Sequence, residues 1–195
     1  MGLKEKKVVL VAGMPGSGKS IVSKVARDMG FGTVCMGDVV REEVEKRGLS
    51  LTRDNISKIA RELRKREGMQ AIAIRVLDRI LELLSKGLDL VVVDGVRGYD
   101  EVKYFKDNLG RYAKLIVLTV HASPETRFKR LCRRGREDDP RTWEEFLRRD
   151  LEELNFGIGE VIALSDILLV NEGLSIKEFR ELVESVISSI INKTR

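Results

Sequence analysis

KVVLVAGMPGSGKS, residues 7–20, runs from an apolar strand through a glycine loop into a helix. Val8–Ala12 is apolar without interruption, the pattern of a strand buried on both faces. The next eight residues are Gly13, Met14, Pro15, Gly16, Ser17, Gly18, Lys19 and Ser20. They match GxxxxGK[ST] at every fixed position, between a strand and a helix, where that pattern carries its meaning. Glycines here let successive backbone N–H groups face one phosphate, because no Cβ blocks the turn. The helix N-terminus adds positive potential. Lys19 then reaches the β- and γ-phosphates of a nucleoside triphosphate, and Ser20 ligates Mg²⁺. ATP and Mg²⁺ are the expected cofactors, and the eight residues are the expected nucleotide-binding set.

Outward from this loop the chain alternates strands and helices. Thr33–Met36, Leu88–Val93, Ala113–Val120 and Asp166–Val170 read as four further buried strands. Between them lie amphipathic segments, including the stripe Ala73, Val76, Leu77, Ile80, Leu81 and Leu84, which marks a core-facing helix. Thr52 and Ser123-Pro124 read as helix starts. Five such strands predict an α/β three-layer sandwich of the P-loop NTPase type, with a five-stranded parallel sheet. One domain spans 1–195, with a helical acceptor-binding region over 38–87 and a short lid over 130–150. Ligands in such sheets bind beyond the carboxyl ends of the strands.

Composition narrows the function. The 195 residues are 43% hydrophobic, enough for a full core, and the net charge of +5 suits an anionic ligand. Two cysteines without a CxxC spacing, Cys35 and Cys132, exclude a disulfide framework, and a single histidine, His121, disfavours a histidine triad. No apolar run reaches membrane-span length and the start lacks a signal-peptide pattern, so a soluble cytoplasmic protein is expected, monomer or homodimer. The chain is short for a helicase or transporter, and the NKxD that reads guanine in GTPases is missing.

Three groups of charged residues fill the loops at the expected ligand edge. Asp94 closes the third strand in VVVDGVRG, residues 91–98, where it would hold Mg²⁺ together with Ser20. Asp38 and Arg41, after the second strand, and Arg97, after the third, are candidates for the acceptor. Two arginines on adjacent loops can fork one phosphate. Lys19 and Asp94, with Arg130 and Arg136 from the arginine-rich stretch 127–149, are the candidate catalytic set, because arginines folded over a transferring phosphoryl group neutralise its charge. Glu137, Asp138 and Asp139 are the acidic partners expected for that stretch.

With these motifs in order, the chain resembles the nucleoside-monophosphate-kinase-like P-loop proteins, adenylate kinase and dephospho-CoA kinase in particular. GMPGSGKS, GDVVR and VVVDGVR carry the resemblance, together with the block RRDLEELNFGIGEVIA at 148–163, which is similar to a group of archaeal relatives of both enzymes. The resemblance implies transfer of the γ-phosphate of ATP to AMP or a related nucleotide, with Arg97 and Arg41 on the acceptor phosphate. It departs from the pattern at DGVR, one residue shorter than the adenylate-kinase DGFPR, and in lacking a four-cysteine lid. Two alternatives stay open: a dephospho-CoA kinase, in which Asp38 is the base for a 3′-hydroxyl, and an ATPase switch in RNA or ribosome assembly. A small nucleotide-like acceptor is the expected partner, with nucleic acid less favoured.

Overall fold

A computed structural model of the chain describes residues 5–136 and 139–192. Glu137 and Asp138, part of the expected lid, lie outside the described residues. The five strands are β1 (Lys7–Ala12), β2 (Gly32–Cys35), β3 (Leu90–Val96), β4 (Lys114–His121) and β5 (Ile167–Val170). They form one sheet in the order β2-β3-β1-β4-β5, every pairing parallel. β1 sits at the centre and is buried along its length. Its side chains alternate between two cores, Val8 and Leu10 on one face, Val9 and Val11 on the other.

Helices α1 (Lys19–Asp28) and α9 (Ile176–Asn192) cover one face, through Val22, Val25, Phe179 and Val183. The other face carries α2 (Met36–Lys46), α3 (Arg53–Glu67), α4 (Ala71–Ser85) and α5 (Tyr99–Leu109). The helical region expected over 38–87 is therefore built into the main core: Val44, Leu63 and Ile80 share one cluster with Val91 and Val93 of the sheet. Thr52 caps α3 by accepting the Asn55 N–H at 3.3 Å. Even the buried Lys7 is satisfied, its ammonium donating to the Ile190 carbonyl at 2.7 Å near the end of α9.

One local expectation is corrected. β3 does not stop at Val93: it runs to Val96, because a bulge between Val11 and Ala12 of its partner places Asp94 opposite Val11 and Val96 opposite Ala12. The extra residue is Gly95, at φ +96°, a value open to glycine. Gly37 and Asp38 lie inside the first turn of α2. The stretch 156–166 contains the short helix α8 (Ile158–Ala163), with Ile158 and Val161 buried.

The arginine-rich stretch is a helix pair, α6 (Pro124–Arg134) and α7 (Trp143–Asn155). Ser123 caps the first, and a Thr142/Glu145 capping box starts the second. Phe128, Trp143 and Phe146 pack together with ring centroids 5.0–5.6 Å apart, so the aromatic residues of this region join the two helices.

Candidate active site

The loop between β1 and α1 closes through one internal bond, Ser17 N–H to the Met14 carbonyl at 3.1 Å. Gly16 (φ +82°) and Gly18 (φ +102°) hold conformations that side chains rarely adopt. A Cβ would lie 2.7 Å from the Arg127 carbonyl at the first and 2.4 Å from Asn171 at the second. No side chain caps α1 at Gly18, which leaves its first N–H groups open to an anion.

Lys19 and Asp94 lie together here. Burial pulls the Lys19 ammonium below its usual pKa, against the carboxylates of Asp94 and Glu153, which favour its charge. Burial likewise raises the Asp94 carboxyl, although Lys19 and the neighbouring Ser23 hydroxyl pull it the other way. Among the described residues, the buried Asp94 Oδ1 and Ser17 Oγ have no hydrogen-bond partner. Unsatisfied oxygens clustered at a phosphate loop mark a place that a hydrated cation and a phosphate satisfy. Asp94 thus fits the Mg²⁺ expected of it.

Beside the loop, α2, α3, β3 and α7 enclose a cavity of about 240 Å³. Its floor is apolar, from Met36, Val40, Ile56 and Ala60. Its walls carry Arg41, Arg53, Arg61, Arg64, Arg97 and Arg149. Arg97 and Arg149 lie near enough to Lys19 for their charges to help lower its pKa. Arg97 is held by Glu153, 3.2 Å away on α7. The loop bearing Arg97 is fixed by the buried Glu101, which accepts the Arg97 and Gly98 N–H groups at 2.8 and 3.4 Å. The same carboxylate pairs with buried Arg64 at 2.9 Å, and Arg64 in turn stacks on Phe156, 4.7 Å from its ring centre.

The remaining candidates divide. Arg41 lines the cavity, its guanidinium bonded to Asp38 at 2.5 Å. Asp38 is half-exposed and does not line the cavity, although its charge helps raise Asp94. Arg130 lies on the other side of the phosphate loop. It donates to the carbonyl of Asn171 at 3.0 Å and, at 3.4 Å, to that of Ser17, which also accepts the Asn171 side chain at 2.8 Å. Arg136 is exposed, and its backbone N–H donates to Asp139 at 3.1 Å. Asp139 holds Arg134 and, at 3.4 Å, Arg149. Burial alone would raise the Asp139 carboxyl, but these partners hold it below its usual value.

Sequence reasoning overlooked Arg53, Arg61, Arg64, Arg149 and Glu153 as cavity residues. A signal was present for α3: Arg53, Ser57, Arg61 and Arg64 recur at helical spacing along the edge of its apolar stripe. Arg149 and Glu153, four apart on α7, carried the same kind of signal in RRDLEE. Asn171 had none.

A family profile described as AAA domain matches residues 12–147. A UPF0200 protein of Hyperthermus butylicus is 49% identical over 183 residues, covering 94% of each chain. Another, of Thermococcus kodakarensis, is 47% identical over 186 residues, covering 95% of this chain and 99% of its own. The chain is an AAA-domain protein of the UPF0200 family. Solved structures similar to this family member include TT1252 from Thermus thermophilus, with a TM-score of 0.62 at 20% identity over 98% of this chain and 100% of the other. Shikimate kinase from Acinetobacter baumannii, in complex with shikimate, matches with a TM-score of 0.57 at 16% identity over 99% and 97%. A gluconokinase from Sinorhizobium meliloti gives 0.55 at 16% over 98% and 95%. The fold is that of the P-loop kinases.

Proposed function

We propose that the protein is an ATP- and Mg²⁺-dependent phosphotransferase whose acceptor is itself a phosphate, that of AMP or a related nucleotide. The observation that carries this reading is a cavity lined by Arg41, Arg97 and Arg149, the last two close enough to Lys19 for their charges to act on it. In the reaction, a phosphate oxygen of the acceptor attacks the γ-phosphorus. The bond from that phosphorus to the β–γ bridging oxygen breaks, and ADP leaves. The attacking oxygen is already ionised, so no base is required. Lys19 and the loop N–H groups stabilise the donor phosphates. Arg97 and Arg149 offset repulsion between donor and acceptor anions. Glu153 holds Arg97 in place until the acceptor phosphate competes for it. Asp94 and Ser20 would hold Mg²⁺, which supplies charge neutralisation at the donor phosphates.

A hydroxyl acceptor, as in dephospho-CoA kinase, needs a base. Asp38 is bonded to Arg41 and does not line the cavity, which favours the phosphate acceptor. The test is transfer from γ-³²P-labelled ATP with Mg²⁺ to AMP, CMP, UMP, GMP, dephospho-CoA or water. A labelled nucleoside diphosphate is expected. Labelled CoA would move the assignment to a hydroxyl acceptor. Release of inorganic phosphate alone would overturn the kinase reading in favour of an ATPase switch.

A further inference from the structure

The phosphate loop is made of backbone that could turn either way. Gly18 sits at φ +102°, and glycine takes the opposite sign of φ as readily, so the peptide joining Ser17 to Gly18 has two faces open to it. Its orientation matters. Across a trans bond the C=O and the N–H point to opposite sides. With the N–H toward the nucleotide the peptide attracts a phosphate; with the C=O there it repels one. Among the described residues, no protein acceptor takes the Gly18 N–H. The Ser17 carbonyl, by contrast, has two donors.

Both donors come from outside the loop. Asn171, 154 residues away and just beyond β5, donates its Nδ2 to the Ser17 carbonyl at 2.8 Å. Arg130 of α6 donates to the same oxygen at 3.4 Å. The two donors also hold each other: Arg130 reaches the Asn171 backbone carbonyl at 3.0 Å and its Oδ1 at 3.2 Å. Asn171 is only 3% exposed, and its own backbone N–H is bonded to the His121 carbonyl at the end of β4, at 2.8 Å. The brace is thus anchored to the sheet by a main-chain bond. Its amide is used at both atoms, Nδ2 as donor and Oδ1 as acceptor, a combination that aspartate and leucine of similar shape cannot supply. The fit is close, since a Cβ at Gly18 would collide with the Asn171 amide.

We propose that Asn171 is a positioning residue of the nucleotide-phosphate site, with Arg130 as its support. By holding the Ser17 carbonyl against the segment after β5, the pair turns the Gly18 N–H to the opposite side, where it meets the phosphate. The dipole is set before the nucleotide arrives, so binding does not have to reorient it. Arg130 then serves the donor phosphates through the backbone of the loop, without folding over the transferring group.

This inference rests on nucleotide binding at the phosphate loop and not on the identity of the acceptor. Ser17-Gly18 is the single Ser-Gly pair in the sequence, so ¹³C-carbonyl serine with ¹⁵N-glycine labelling isolates the Gly18 N–H as one NMR signal. In the full chain that signal should move downfield on addition of MgADP or of inorganic pyrophosphate, as an N–H does on gaining a phosphate acceptor. Asn171→Ala removes the donor, and Asn171→Leu removes it while keeping the shape. Each should bind both ligands about tenfold or more weakly by calorimetry, with the Gly18 response reduced or lost. A role in packing alone would be restored by leucine, so wild-type affinity or a wild-type Gly18 response in Asn171→Leu overturns the inference. Should neither variant fold, Arg130→Met decides by the same two readouts: weaker binding with a reduced Gly18 response supports the brace, and a wild-type value of either overturns it. Transfer of phosphate to a nucleotide, with Asn171→Leu indistinguishable from wild type, sinks the brace and leaves the kinase reading standing. A Gly18 response that depends on Asn171, with no transfer to any acceptor, supports the brace and sinks the kinase reading instead. A wild-type chain that binds neither MgADP nor pyrophosphate sinks both.

Discussion

Arg127 stands in the arginine-rich stretch, yet its surroundings predict a structural role that a melting experiment separates from catalysis. Its guanidinium makes a bidentate pair with Asp150, at 2.8 and 2.6 Å, and both side chains are nearly buried. It also donates to the Ala122 carbonyl at 3.1 Å and, at 3.4 Å, to that of Pro15 inside the phosphate loop. The ring of Phe146 lies 5.0 Å below it. Arg127→Ala leaves Asp150 as a buried carboxylate without its counter-ion, which costs about 3–5 kcal/mol. For a chain of this size each kcal/mol corresponds to roughly 2–4 °C, so the melting temperature should fall by about 6–20 °C. Removing Asp150 as well eliminates the stranded charge. The pair R127A/D150A should therefore lose clearly less than the two single losses added, with a coupling of about 2 kcal/mol or more. Urea denaturation of the wild type, both single variants and the double variant closes the cycle. If Arg127→Ala costs under about 1 kcal/mol, or if the single losses simply add, the buried pair is not what joins α6, α7 and the phosphate loop.

Three further outcomes follow from the site. Glu101→Gln removes the ionic partner of buried Arg64 and weakens the anchor of the Arg97 loop; a loss of about 3–5 kcal/mol in urea denaturation is expected, with a raised acceptor KM in whatever folded protein remains. Arg97→Ala and Arg149→Ala should each lower acceptor kcat/KM by roughly 10- to 100-fold, the worth of a charge-assisted bond to a phosphate, while MgATP binding measured by calorimetry stays within about threefold. Because burial raises the Asp94 carboxyl, it takes up a proton at a pH where an ordinary aspartate is still ionised. The protonated form holds Mg²⁺ poorly, so Mg²⁺ affinity of the ADP-loaded protein should begin to fall, on acidification, above the usual aspartate range near 3.8. Asp94→Asn should show weak Mg²⁺ binding with no such pH step, and a wild-type profile that stays flat down to that range would refute the assignment.

The phosphate loop was legible because everything it needs is local. An apolar strand, three glycines and a Lys-Ser helix start within residues 7–20 specify its backbone and its chemistry together. The sheet was legible for a related reason: strands buried on both faces leave uninterrupted apolar runs that need no knowledge of their neighbours. The strand end at Gly95 was misjudged because Asp-Gly is also ordinary turn chemistry. Only the register against β1 shows that the ladder continues through a bulge there.

The cavity proposed for the acceptor was partly legible. Arg97 directly follows β3 and Arg41 lies in the second turn of the helix after β2, and both line the cavity. In the stretch 127–149, sequence gave many arginines and no means of ranking them. Arg127 is consumed by Asp150, 23 residues away, and Arg130 by main-chain carbonyls of the phosphate loop and of the segment after β5. Arg149, in the same run of charge, is the one that lines the cavity.

By itself the sequence determined the parallel α/β sheet and a nucleotide-phosphate loop at its carboxyl edge, since periodicity and backbone chemistry act over a few neighbouring residues. Only the tertiary structure decided which guanidinium groups face that loop. An arginine's partner is chosen by the packing of helices remote in sequence. Glu101 meets Arg64 across 37 residues, and Glu153 on α7 meets Arg97 of the loop after β3. Long, charged side chains reach whatever the folded neighbourhood presents, and no local pattern encodes that choice.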